Sequence, residues 1–120
     1  MTLTTAKIGV IGAGAWGTAL AQVLSEGQDE LLLWAREPEV VDQINRTHEN
    51  ISFLPGHRLR DNISATMDLE AMAACDVLLL VTPAQHLRAT LQALPDSSAV
   101  AFHVFLLALH PAIHNQHALA

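Results

Sequence analysis

Three glycines at positions 12, 14 and 17, in the run Gly12-Ala-Gly14-Ala-Trp-Gly17, have the spacing needed to hold a phosphate group against bare backbone. The first permits a tight turn, the second lets the main chain approach a pyrophosphate, and the third lets a following helix pack closely on the preceding strand. A helix that starts inside such a run also offers free N–H groups and partial positive charge to the anion. Taken alone the pattern is weak, because glycines are common and the window is short; its value depends on what flanks it.

A second chemical position follows at the distance this chemistry requires. In dinucleotide sites an acidic side chain about 20 residues after the last glycine binds a ribose 2′-hydroxyl, and an arginine there accommodates a 2′-phosphate. Arg36 comes 19 residues after Gly17 and Glu37 comes 20, so spacing does not separate an NADP reader from an NAD reader. We favour Arg36, hence NADP, with Glu37 and NAD as the alternative. Trp16 lies inside the glycine run, where its indole either covers a cofactor or packs beneath the helix; apolar periodicity favours packing. His48, His57 and His86 are widely separated, show no metal-ligand spacing and read as ordinary surface or loop residues. The single cysteine, Cys75, sits at the edge of an apolar run and reads as core filler.

The flanks supply the missing context. Lys7-Ile-Gly-Val-Ile11 is a short apolar run suited to a parallel strand buried on both faces. After the glycines, Trp16, Ala19, Leu20, Val23 and Leu24 fall on one helical face, and Gly27 can close that helix. Leu31-Leu-Leu-Trp34 reads as a second strand, and Pro38 opens a weaker helix over Glu37 to Asn45 with Val40, Val41 and Ile44 apolar. Residues 47 to 62 read as a long loop centred on Phe53-Leu-Pro-Gly56, a length more often functional than filler. A short strand at Ile63 to Thr66, a small helix capped by Asp68 and running through Ala74, and a buried strand over Asp76 to Val81 come next. Thr82 to Gln85 matches a capping box with Pro83 at the first helical position, and Leu87, Leu91 and Leu94 give the helix a core face. A turn at Pro95-Asp-Ser-Ser98 leads into a last apolar run from about Ala99.

Strands alternating with helices specify an α/β fold: a Rossmann-type doubly wound parallel sheet, here a single incomplete domain. Ligands of such sheets bind at the carboxyl ends of the strands, where Gly12, Arg36 and Thr82 all fall. The expected division is a dinucleotide-binding domain over 1–98 and an apolar last strand with a histidine-rich tail over 99–120. With 120 residues there is room for one core. Apolar residues at 51% exclude a disordered chain, and the strongest apolar stretch, Ala99 to Leu109, is about half the length needed to cross a bilayer. A net charge of −6 with scattered basic residues gives nucleic-acid binding no support. The start of the chain lacks an apolar signal core, so the expected location is cytoplasmic, in keeping with a lone cysteine.

Several segments together resemble a known family. Residues 12 to 21, Leu-Trp-Ala-Arg at 33 to 36, Asn50 followed by Phe-Leu-Pro-Gly at 53 to 56, Ala-Thr-Met-Asp-Leu at 65 to 69 and Val-Thr-Pro-Ala-Gln at 81 to 85 are similar to the N-terminal domain of bacterial NAD(P)-dependent glycerol-3-phosphate dehydrogenase, over about residues 6 to 95. The resemblance implies interconversion of sn-glycerol 3-phosphate and dihydroxyacetone phosphate with hydride transfer, a step that supplies phospholipid backbones. It implies that Ala15, Trp16 and Arg36 contact NADPH, and that Phe53 and Pro83 lie near it. The alternatives are the cofactor domain of a hydroxyacid or 6-phosphogluconate type dehydrogenase, against which the motifs at 53 and 81 argue, and a non-catalytic dinucleotide-binding module.

Two departures bear on turnover. Where the family has Ala-Lys-Gly after its fifth strand, with the lysine against cofactor and substrate, residues 103 to 109 read His-Val-Phe-Leu-Leu-Ala-Leu; the family's helical C-terminal domain with its catalytic lysine has no counterpart here. Ketone reduction needs a proton donor beside the carbonyl oxygen. Lys7 is the only lysine and begins the first strand, at the far end of the sheet from the glycine turn. The expectation is therefore a chain that binds NAD(P) without turning over, with no catalytic residue assigned and with self-association through surface that a partner domain would cover. Residues 97 to 120 contain no Lys, Arg, Asp or Glu and hold four of the seven histidines, an abrupt change that points to a shifted reading frame or a gene truncation. His110, His114 and His117 have spacings that one helical face could present to a metal, but Pro111 interrupts such a helix and no metal site is assigned.

Overall fold

Short runs of apolar and small residues form the sheet, the first and fourth buried along most of their length and the second and third alternating between buried and half-buried positions. In the computed structural model, which describes residues 7–82, 84–94 and 101–102, these runs are β1 (Ile8–Ile11), β2 (Leu31–Trp34), β3 (Ile63–Thr66), β4 (Val77–Leu80) and β5 (Ala101–Phe102). All pairings are parallel, in the order β3-β2-β1-β4-β5. Ile8 stands opposite both Leu31 and Val77, so β1 is the central strand. The chain winds outward from β1 to β3, then crosses back to lay β4 on the other side of β1. That reversal opens a crevice at the carboxyl ends of the central strands.

Alternation along the strands divides the core into two layers. Val10, Leu31, Leu33, Ile63, Ala65 and Leu79 pack on one face with Ala21, Val40 and Ile44, which come from α1 (Ala15–Leu24) and α2 (Pro38–Thr47). Ile11, Leu78 and Leu80 pack on the other face with Met72 of α3 (Leu69–Met72), Cys75 and Leu94, the last just after α4 (Ala84–Ala93). The sequence expectation of a doubly wound sheet is met.

The helices differ from expectation in detail. On α1 the buried residues are Gly17, Thr18 and Ala21, whereas Trp16 is 53% exposed and Val23 69% exposed. Close approach of the helix to the turn after β1 selects its small face for the deepest positions; Leu20 and Leu24 pack half-buried at the edge of the core, and Trp16 and Val23 turn outward. The cap of α1 is Ser25, with Gly27 following in a left-handed conformation (φ 79°). Helix α2 runs two residues beyond Asn45 and ends at His48, whose φ of 57° places it in the left-handed region as the cap. Its Pro38, Glu39 and Arg46 suit a helix start, first turn and last turn respectively. Asp68 caps α3 by accepting from the Glu70 N–H at 3.0 Å, but that helix stops at Met72. On α4, Leu91 is exposed and Thr90 takes the inward place, one turn before the buried Leu94 that follows the helix. The capping box around Pro83 lies outside the described residues.

Cys75 is buried, and a Cβ at Gly9 would come within 2.7 Å of its Sγ, so the thiol fills the space that this glycine leaves. Burial pushes the thiol pKa above its ordinary value, with the nearby charges of Lys7, Asp76 and Glu30 as smaller influences. Lys7 stands at the amino edge of the sheet, where its N–H donates to Asp76 Oδ2 at 2.8 Å and its Nζ lies 3.9 Å from Glu30. Among the described residues, no helix is long and apolar enough to cross a membrane.

Candidate functional site

The glycine turn begins where β1 ends. Gly12 has φ 121°, a conformation that side-chain-bearing residues rarely adopt, and a Cβ there would also meet the Val81 carbonyl oxygen at 2.6 Å. Its N–H donates to the Trp34 carbonyl at 3.0 Å, which fastens the turn to the end of β2. Gly17 faces this turn so closely that a Cβ would fall 1.6 Å from the Gly12 carbonyl oxygen. Gly14 is different: it is exposed, and nothing lies within 4 Å of where its Cβ would be. A side chain at Gly14 would occupy open space beside the helix start instead of colliding with protein. No side chain caps this end of α1, and its first turn has no acidic residue.

Around that open space the structure forms a cleft of ≈ 270 Å³. Its floor is residues 12 to 17; its sides are Trp34, Arg36 and Glu37 after β2, and Val81, Thr82 and His86 after β4; Phe53 reaches it from the 47–62 loop. The candidate residues Gly12, Gly14, Ala15, Trp16, Gly17, Arg36 and Phe53 therefore meet in one place. Pro83, the remaining candidate, lies outside the described residues, as do His103, His110, His114 and His117. Trp16, for which periodicity alone favoured packing beneath the helix and the resemblance a place against the cofactor, lines the cleft.

Three features of the cleft were not legible as site residues. His86, read as an ordinary surface or loop residue, lies with its Nε2 3.3 Å from Arg36 Nη1 across the cleft. A guanidinium only donates, so a hydrogen bond between the two uses Nε2 as the acceptor. Trp34, read as a strand residue within the 33–36 motif and given no site role, lines the cleft while its Nε1–H donates to the Met67 carbonyl at 2.9 Å. Asn50 is fully buried beneath the turn and donates to the Ala13 carbonyl and to Thr18 Oγ1, each at 2.8 Å. Its presence in a motif with Phe53 was the only signal available for it. Among the described residues, no group of three or more His, Cys, Asp or Glu side chains is placed to hold a metal ion.

The family model described as the N-terminus of NAD-dependent glycerol-3-phosphate dehydrogenase matches residues 7–108. This chain belongs to that family. The match continues past residue 95, where the motif resemblance ends, and takes in β5. Glycerol-3-phosphate dehydrogenase (NAD(P)+) of Parvibaculum lavamentivorans is 53% identical over 108 residues, which are 90% of this chain and 32% of that protein. Its counterpart from Novosphingobium aromaticivorans is 60% identical over 87 residues, 72% of this chain and 26% of that protein. Among solved structures, glycerol-3-phosphate dehydrogenase of Saccharomyces cerevisiae superposes with a TM-score of 0.75 at 31% identity, covering 82% of this chain and 32% of that one. The Coxiella burnetii enzyme gives 0.68 at 26% identity, covering 93% and 38%. The chain thus spans about a third of the length of the relatives it matches.

Proposed function

We propose that this chain is the cofactor-binding part of a glycerol-3-phosphate dehydrogenase and binds NADP or NAD in the cleft at the carboxyl edge of its sheet. The observation that carries the reading is the convergence of the glycine turn with Arg36, Glu37, Trp16 and Phe53 around one opening. The residues fit the group. Gly12 and Gly17 bring strand and helix together, Gly14 leaves room for a pyrophosphate, and the start of α1 offers N–H groups to it. Arg36 reads a 2′-phosphate and Glu37 a 2′-hydroxyl. Trp16 and Phe53 present aromatic surface to the bound molecule, and by the family's positions Pro83 lies near it as well.

When bound, the nicotinamide would accept hydride from sn-glycerol 3-phosphate or donate it to dihydroxyacetone phosphate. Residues 7 to 102 would bind and orient it. Lys7 is held at the amino edge by Asp76 and Glu30, about 16 Å from Gly12 along the length of β1, so it does not serve as the proton donor. The proposed behaviour of these 120 residues by themselves is binding without turnover, with residues 1–98 as the binding domain and 99–120 as last strand and tail. The reading includes a cytoplasmic setting, where the lone thiol stays reduced.

The test is titration of the native chain and of Arg36→Ala with NADPH and NADH. Loss of a charge-assisted phosphate contact is expected to weaken NADPH by about tenfold or more and NADH by much less. Equal losses for both cofactors would remove Arg36 from cofactor choice and leave Glu37 as the reader.

A further inference from the structure

The buried Asn50 side chain bonds both to the glycine turn and helix start on one side of the cleft and to the Phe53 segment on the other. Both hydrogens of its carboxamide are used, one on the Ala13 carbonyl inside the glycine turn and one on Thr18 Oγ1 in the first turn of α1. Its Oδ1 accepts from the Phe53 N–H at 3.1 Å, and its own carbonyl accepts from the Leu54 N–H at 2.8 Å. Thr18 Oγ1 donates in turn to the Ala13 carbonyl at 3.3 Å, so that oxygen receives two donors from the protein interior.

This arrangement fixes more than packing. In a trans peptide the carbonyl oxygen and the following N–H point in opposite directions, and the described chain has no cis peptide. Drawing the Ala13 oxygen toward Asn50 and Thr18 therefore turns the Gly14 N–H away from the interior, on the side where Gly14 lines the cleft. The same carboxamide sets the turn that carries Phe53. That ring is 41% exposed, so burial alone does not fix its place. Gln43 completes the attachment, its Oε1 accepting from the Ile51 and Ser52 N–H groups at 3.0 and 3.2 Å.

We propose that Asn50 is a positioning residue for dinucleotide binding: one buried carboxamide aims the Gly14 N–H at the phosphates and places Phe53 at the rim, setting the two as a unit. The proposal rests on the cleft being a dinucleotide site, and it adds a residue that would touch no part of the cofactor. Leaving two buried donors of this kind without partners, or removing them, acts on both walls together.

The experiment is NADPH titration of four folded proteins: native, Asn50→Leu, Phe53→Ala and the double variant, with hydrogen exchange measured on the ligand-free native and Asn50→Leu chains. Asn50→Leu is expected to weaken NADPH by about tenfold or more, and the penalty of Phe53→Ala to shrink to less than half in that background. Protection is expected to fall together at the Phe53 amide and at residues 13 to 18. Native affinity in folded Asn50→Leu, or penalties that add in full, would overturn the proposal. Should Asn50→Leu fail to fold, Thr18→Val removes one of the two acceptors with little change of shape and is expected to give a smaller loss, about threefold, with the same non-additivity; additive penalties would again overturn it. A native chain that binds no NADPH would overturn the dinucleotide reading instead. The exchange data then decide the linkage separately: loss of protection at both segments supports it, and loss at one alone refutes it.

Discussion

The glycines of the turn do different physical work, and single substitutions separate it. A Cβ at Gly17 would lie 1.6 Å from the Gly12 carbonyl oxygen, so Gly17→Ala forces α1 away from β1 and is expected to destabilise the chain by about 1–3 kcal/mol or more in denaturant unfolding. Gly14→Ala meets nothing within 4 Å and has an ordinary φ of −71°. It is expected to leave stability within about 1 kcal/mol and to weaken NADPH binding sharply, because its methyl group enters the phosphate space. Normal binding by Gly14→Ala would show that the phosphates do not approach there. The glycines and Arg36 could be read from the sequence because the chemistry dictates both residue type and spacing. His86 and Asn50 could not, since a lone histidine and a lone asparagine gain their roles only from which strand ends and loops meet, and those contacts cross 50 and 37 positions of chain.

Among the elements, α1 shows where periodicity misleads. Apolar periodicity selects the face of Trp16, Ala19, Leu20, Val23 and Leu24, and Leu20 and Leu24 do pack on the core, but contact with the glycine turn demands small residues, so Gly17, Thr18 and Ala21 are buried deepest while Trp16 and Val23 are exposed. Two substitutions test this orientation. Ala21→Leu overfills a fully buried site and is expected to cost about 1–3 kcal/mol, whereas Val23→Lys at a 69% exposed site is expected to change stability by about 0.5 kcal/mol or less. The opposite ranking in thermal or chemical unfolding would mean that the helix is rotated. The strands were easier to read. Leu31–Trp34 and Ile63–Thr66 match the expected bounds, because short apolar runs between turn-forming residues leave a buried parallel strand few other options. The 47–62 loop was legible as a loop, but its internal order was not: side chains of Asn50, Gln43 and Glu49 receive its N–H groups, and side-chain to backbone pairing leaves no periodic trace.

For the whole molecule, the return of the chain to the far side of β1 places three strand ends around one cleft, and this is what turns separate motifs into a candidate site. Right-handed crossovers made that edge foreseeable from element order alone. The chain corresponds to about a third of its relatives' length, and Trp16, Val23, Phe53 and Leu91 remain exposed. Self-association through exposed apolar side chains is the expected solution behaviour, checked by light scattering across a concentration series; a strictly monomeric, highly soluble sample would contradict it. The most direct measurement is calorimetric titration of the folded 120-residue chain with NADPH and NADH, followed by an assay with dihydroxyacetone phosphate. Saturable binding of one dinucleotide per chain, without turnover, is the expected result. A demonstrably folded sample that binds neither cofactor at millimolar concentration would contradict the assignment of the cleft.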